Sequence, residues 1–319
     1  MTGTSAAQGA PKSILLATDL SPRCDRALDR ALLLSQQWQA SLVVLHVLEG
    51  AQGAESDWRV PSWRRPPDPA SVAHRQLLAD VGVAVDKAEI VIGEGDPADE
   101  VARVAAEKGC DLIVTGIARD ELFGRVLLGT TVDRLLRRSP LPLLVVRNRA
   151  RHDYREIAVA ADFSAASRYA FEMAIRIFPA DPLTVFHAYE SPLGGLAPDS
   201  DALRRQWREV ALQDCAAFLA AVDAGGAARG RVRSFVEYGA PANVLRQGVR
   251  DMGIELLVLG THGRSALIEM LIGSVAKAIL DEVTCDVLIV RDPQVAAGAD
   301  DGPAVAAGAA PQEGGASTR

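Results

Sequence analysis

Short apolar runs alternate along the chain with longer stretches whose apolar residues recur every three to four positions, the pattern of strands separated by helices. In the first half, Ser13–Thr18, Ser41–Val47, about Glu89–Ile92, Asp111–Thr115 and Leu143–Arg147 read as strands, too brief to be helices. Ser21-Pro22 opens a helix to about Gln37, with Ser as cap and Pro in the first turn. Asp96-Pro97 opens another that ends at Gly109, and a last helix runs from about Gly129 to Arg138. Strands are expected again near Glu156–Ala161, Leu183–His187, Val232–Glu237, Leu256–Leu259 and Val287–Val290. Near-continuous Val, Ile and Leu strands between amphipathic helices predict parallel sheet covered on both faces.

The pattern also repeats. Ile14-Leu-Leu-Ala-Thr-Asp-Leu-Ser21 recurs as Ile157-Ala-Val-Ala-Ala-Asp-Phe-Ser164, and Gly109-Cys-Asp-Leu-Ile-Val-Thr-Gly116 as Gly253-Ile-Glu-Leu-Leu-Val-Leu-Gly260. Leu127-Leu-Gly-Thr130 returns as Leu271-Ile-Gly-Ser274, and Leu143–Arg147 as Val287–Arg291. The offset is 143 for the first of these and 144 for the other three, which marks a tandem duplication. The expected fold is two tandem doubly wound parallel five-stranded α/β sheets, over residues 12–149 and 150–293. Residues 1–11 and 294–319 are small and polar, and read as disordered tails. The linker Asn148–Asp153 is too short for free tumbling, so the units are expected to form an intrachain pseudo-dimer through Leu143–Val146 and Val287–Val290. Gly50–Pro69, with Trp58 and Trp63, reads as a long loop whose tryptophans plug locally rather than hold a ligand.

Composition narrows the function classes. At 319 residues, 49% hydrophobic and 24% charged, the chain has ordinary globular make-up. No apolar run approaches the roughly 18 residues of a membrane span, since even Leu42–Leu48 is interrupted by His46. Met1–Ser13 has neither the cationic start nor the apolar core of a secretion signal. A net charge of −7 disfavours a nucleic-acid binder, which needs a basic face. Cys24, Cys110, Cys215 and Cys285 lie far apart and read as buried apolar residues of a reducing, cytoplasmic protein.

The candidate chemistry lies in Gly260-Thr-His-Gly263-Arg-Ser-Ala-Leu-Ile-Glu-Met-Leu-Ile-Gly273-Ser274, which starts where a strand ends and finishes where a helix begins. Glycines there would permit positive φ and close approach of a phosphate to backbone amides. The helix N-terminus favours an anion, and Ser274 adds a hydroxyl donor. A plain turn and helix cap is the alternative reading.

On these residues the chain resembles the universal stress proteins in their tandem, two-domain form, a fold similar to the adenine-nucleotide alpha hydrolases. The resemblance covers about Lys12 to Pro293. It rests on Asp-x-Ser after strand one, His at the end of strand two, Gly95-Asp96-Pro97, and the Gly-x2-Gly-x9-Gly-Ser loop, which in that family marks members that bind ATP or AMP. It implies that Gly260, Gly263, Gly273 and Ser274 hold phosphates and ribose, flanked by Thr261, His262, Arg264 and Val275. Ala160 would line the floor, Ala188 would offer backbone contacts to adenine, and Asp162 would face the ribose, the phosphates or a phosphate-bound Mg²⁺. Asp19 and Asp162 read equally as helix-start residues that satisfy backbone donors, and His262 as a solvated loop residue. His46 and His187 read as strand-end histidines capped by backbone, or as ligands.

The first copy departs from the motif, because Arg119 replaces the middle glycine between Gly116 and Gly129-Thr130. A side chain there fills phosphate space or, through its guanidinium, reaches a phosphate. Ala17, Asp19, Gly116, Gly129 and Thr130 therefore form a weaker second candidate site. No Gly-x4-Gly-Lys-Ser/Thr loop and no kinase signature is present. The expectation is a non-catalytic, nucleotide-responsive stress regulator without a nucleic-acid or membrane partner. A slow ATPase or nucleotide-transfer enzyme, and a dimerising scaffold with vestigial pockets, are the alternatives, and a homodimer stays open.

Overall fold

Buried strand triplets set the frame: Ile14, Leu15 and Leu16 are wholly inaccessible, as are Val258 and Leu257 in the second half. The computed structural model describes residues 9–22, 24–50, 67–82, 88–117, 129–190, 201–222, 226, 230–261 and 273–292. The tails at 1–8 and 293–319, the segment of Trp58 and Trp63, and Arg119, His262, Gly263 and Arg264 lie outside them.

The first half runs β1 (Ser13–Thr18), α1 (Asp25–Trp38), β2 (Ser41–Leu48), α2 (Pro69–Val81), β3 (Ala88–Glu94), α3 (Pro97–Glu107), β4 (Leu112–Gly116), α4 (Thr130–Arg138) and β5 (Leu143–Val146). The second repeats it as β6 (Ile157–Ala160), α5 (Ala165–Ile177), β7 (Leu183–Tyr189), α6 (Asp201–Val222), β8 (Val232–Tyr238), α7 (Pro241–Asp251), β9 (Leu256–Gly260), α8 (Ser274–Glu282) and β10 (Asp286–Val290). The strands line up as β3-β2-β1-β4-β5-β10-β9-β6-β7-β8. Pairing within each half is parallel. The two five-stranded sheets fuse where β5 meets β10 antiparallel, Val287 opposite Val145 and Leu288 opposite Leu144.

Alternation along each strand feeds two cores. Ile14, Leu16, Leu42 and Val44 pack with Ala27, Leu34 and Leu77 from α1 and α2, and with Ala170, Phe171 and Phe218 from α5 and α6. Leu15, Val43 and Leu45 point the other way, into Val101, Val132, Leu245 and Ile279 of α3, α4, α7 and α8. Each helical layer therefore spans both halves.

Three local outcomes differ from the pattern reading. The helix expected from Ser21-Pro22 begins at Asp25 instead, with Cys24 at its cap and no side-chain capping bond. Its would-be capping serine is consumed earlier: Asp19 Oδ1 accepts the Ser21 N–H at 2.9 Å, and the Ser21 carbonyl takes the Cys24 N–H at 2.8 Å. The pattern assigns no helix to α2 or α6, which cover the outer strands. Asp68-Pro69 nonetheless carries the signature of Asp96-Pro97, and both aspartates accept first-turn amides, from Ser71 and from Ala98 and Asp99.

Candidate functional site

In each half the chain leaves the innermost strand in one direction and later returns to build outward in the other. The crevice beyond the carboxyl ends of those strands, β1 and β4 or β6 and β9, is where open α/β sheets bind ligands. In the second half Ala160 ends β6 beside Phe186 of β7, Ala188 lies two residues further along β7, and Gly260 ends β9. The structure thus gathers Ala160, Asp162, Ala188, Gly260 and Thr261 at one edge of the sheet.

Asp162 and Ser164 shape the turn after β6. Asp162 Oδ1 accepts the Ser164 N–H at 3.0 Å and its hydroxyl at 2.5 Å. Ser164 in turn caps α5 by accepting the Ser167 N–H at 3.2 Å. Phe163 between them adopts φ 64°, as Leu20 adopts φ 60° after β1. Phe163 stacks on His187 with ring centroids 4.0 Å apart, and His187 Nδ1 lies 2.8 Å from the Ala161 carbonyl. His46 Nδ1 repeats that contact with the Thr18 carbonyl at 2.9 Å. Both histidines thus serve to tie the strand-one turn to strand two. In the first half Asp19 also holds the Cys24 thiol, and burial together with that bond pushes the thiol up to about 11.

The glycine loop departs from and returns to one point. Thr261, 2% exposed, donates its N–H to the Val290 carbonyl at 3.2 Å and accepts the Gly273 N–H at 3.0 Å. Neither Gly260 nor Gly273 has positive φ, which corrects the expectation that the turn needs glycine there for its backbone angles. Gly260 is needed for close packing: a Cβ there would stand 2.8 Å from the Ala166 carbonyl oxygen of α5. Gly273 sits at φ −58° and ψ 142°, a conformation open to any residue, and a Cβ would meet only the Thr261 oxygen at 3.6 Å.

Gly273 starts a helix without a side-chain cap, a feature α8 shares with α1 and α7 as well as with α4. In α4 the residue at that start is Gly129, whose φ −59° and ψ 148° match. By contrast Asp68, Asp96 and Ser164 cap α2, α3 and α5. Amides of an uncapped first turn, here those of Ser274 and Val275, are suited to an anion. Among the described residues no group of three or more His, Cys, Asp or Glu could hold a metal ion. Nor is any helix among them long and apolar enough to cross a membrane.

The family model described as the universal stress protein family matches residues 11–147 and again residues 153–291. The chain belongs to that family. A universal stress protein of Mycolicibacterium smegmatis is 28% identical over 302 residues, covering 87% of this chain and 96% of its own. The crystal structure of a universal stress protein from Archaeoglobus fulgidus shares the fold at a TM-score of 0.61, with 19% identity, over 88% of this chain and 98% of that one. A Pseudomonas aeruginosa structure described under the same family name reaches 0.66, with 21% identity, over 92% and 97%.

Within this tandem universal stress protein the two loop-ending helices differ in charge. Asp133 lies in the first turn of α4 and pairs with Arg137 at 3.0 Å, whereas the duplicated position in α8 is Lys277, exposed to solvent. A cation in a helix's first turn opposes the macrodipole, so Lys277 does nothing for α8 itself. The sequence reading passed over this pair, although the repeat offset that aligns Gly129 with Gly273 aligns Asp133 with Lys277.

Proposed function

We propose that this universal stress protein binds one adenine nucleotide, ATP or AMP, in its second half, and acts as a nucleotide-responsive regulator rather than a catalyst. The carrying observation is the uncapped N-terminus of α8, placed at the switch point of the second sheet and accompanied by Lys277 where α4 has Asp133. Phosphates would rest on the Ser274 and Val275 amides with the Ser274 hydroxyl, with Gly260, Thr261, His262, Gly263 and Arg264 as the expected loop contacts. Ala160 and Ala188 would flank ribose and adenine. Asp162, fixed by Ser164, would face the ribose or a Mg²⁺ that arrives with the phosphates. In the first half, Ala17, Asp19, Gly116, Gly129 and Thr130 form the same frame, but Asp133 repels an anion at the helix start and Arg119 replaces a loop glycine.

The test is to denature the purified protein in acid and to identify and count the released nucleotide per chain, with ATP and AMP titrated calorimetrically into the emptied protein. One adenine nucleotide per chain is expected. Two equivalent tight sites would refute the assignment to the second half, and steady release of ADP or a transferred product would favour the enzymatic reading.

A further inference from the structure

The seam between the halves is built around one buried charge pair. Arg30 on α1 and Asp286 at the start of β10 are 6% and 1% exposed in their side chains, with Nε 3.6 Å from Oδ2. Asp286 Oδ1 accepts the N–H groups of Arg147 and Asn148 at 2.8 and 2.9 Å, and Oδ2 accepts the Tyr154 hydroxyl at 2.7 Å. Arg30 donates to the His152 carbonyl at 3.0 Å, and its guanidinium lies 3.8 Å above the Tyr154 ring. Arg30 Nε itself has no hydrogen-bond partner, so its compensation is the charge of Asp286, and either charge left alone would carry its full desolvation cost.

The duplication shows what stands at the matching positions. Ala27, Ala31 and Leu34 of α1 align with Ala170, Ala174 and Ile177 of α5, which sets Arg30 against Met173. Val287 aligns with Leu143, which sets Asp286 against Pro142. One side of the seam is therefore cation and anion, and its pseudo-symmetric mate is two apolar residues.

We infer that Arg30 and Asp286 make this seam selective for unlike halves. Two first halves joined through β5 would place Arg30 opposite Pro142 twice, and two second halves joined through β10 would place Asp286 opposite Met173 twice. Both arrangements leave Arg30 or Asp286 without its counter-charge, whereas the observed pairing sets the two against each other, so discrimination comes from penalising the wrong partner. The β5 and β10 edges are thereby reserved for each other, and neither half accepts its like from a second copy of this chain.

The test starts from the intact chain carrying a protease site between Ala150 and Arg151, cut after folding. The cut protein is mixed with an isotope-labelled preparation and held, with mild denaturant as needed, until label has scrambled between halves. Native mass spectrometry then counts the pairs. Unlike pairs are expected to exceed like pairs by about tenfold or more, the direction set by the cost of an uncompensated buried charge. Like and unlike pairs in the random ratio would overturn the inference. The same chain with Arg30→Met and Asp286→Asn has no charge at either position, and its like pairs are expected to rise at least about tenfold. If that variant stays as selective as the parent, other contacts set the choice and the inference fails.

Discussion

Thr261 and Gly273 are joined by a single backbone hydrogen bond, the Gly273 N–H donating to the Thr261 carbonyl at 3.0 Å. That bond closes the base of the glycine loop and fixes where α8 begins. Because Gly273 has ordinary φ and room for a Cβ, its replacement separates folding from binding. Gly273→Ala should cost about 1 kcal/mol or less in stability, since Ala is a poorer N-cap than Gly but meets no clash. Gly273→Glu should keep the fold, since an acidic residue complements the helix start, yet lose about 2 kcal/mol or more of nucleotide binding by calorimetry. Gly129→Glu should leave bound nucleotide unchanged. The reverse result would move the working site to the first half.

Lys277 offers an electrostatic check that leaves the loop alone. Lys277→Gln should weaken ATP binding by about 1 kcal/mol and flatten its salt dependence, as loss of one exposed cationic charge near the phosphates does. Titrations at low and high salt read both effects. An unchanged salt slope would leave the residue without a part in binding.

Gly260 should respond to substitution through folding. A methyl group at Gly260 would stand 2.8 Å from the Ala166 carbonyl oxygen, and helix backbone cannot give way as a side-chain tip can. Gly260→Ala should therefore cost about 1–3 kcal/mol in denaturant unfolding of nucleotide-free protein. A neutral result would mean that α5 shifts freely over β9.

Two thiols predict an alkaline weakness. Burial pushes Cys24 up to about 11 and Cys285 up to about 12, from the ordinary 9.0. The folded protein thus keeps protons that the unfolded chain releases, so their contribution is intact below about pH 9 and declines as pH rises through the folded values. By about pH 10.5 each should have cost about 2 kcal/mol, which Cys24→Ala or Cys285→Ala should abolish in paired denaturation curves. At pH 8 a thiol reagent should label either cysteine only as fast as the protein opens.

The sequence alone determined the strands and the duplication. Runs such as Ile14–Leu16 and Leu256–Leu259 are apolar because both faces are covered, and a repeat written twice in one chain exposes its own register. The aspartates after β1 and β6 and the two strand-end histidines also stood out in the sequence, which left a backbone role and a ligand role open; the backbone contacts of all four come from the structure. The α2 and α6 helices were harder, because a helix on an outer strand buries only a narrow stripe, such as Ala73, Leu77 and Val81. The tertiary structure decided the rest: that Gly260 is small for the sake of α5, that the expected joining of β5 and β10 is antiparallel, and that Arg30 meets Asp286. Local periodicity says which face of an element is buried but carries no record of what it is buried against. Those contacts join residues far apart in the chain, and only the closed sheet brings them within reach of one another.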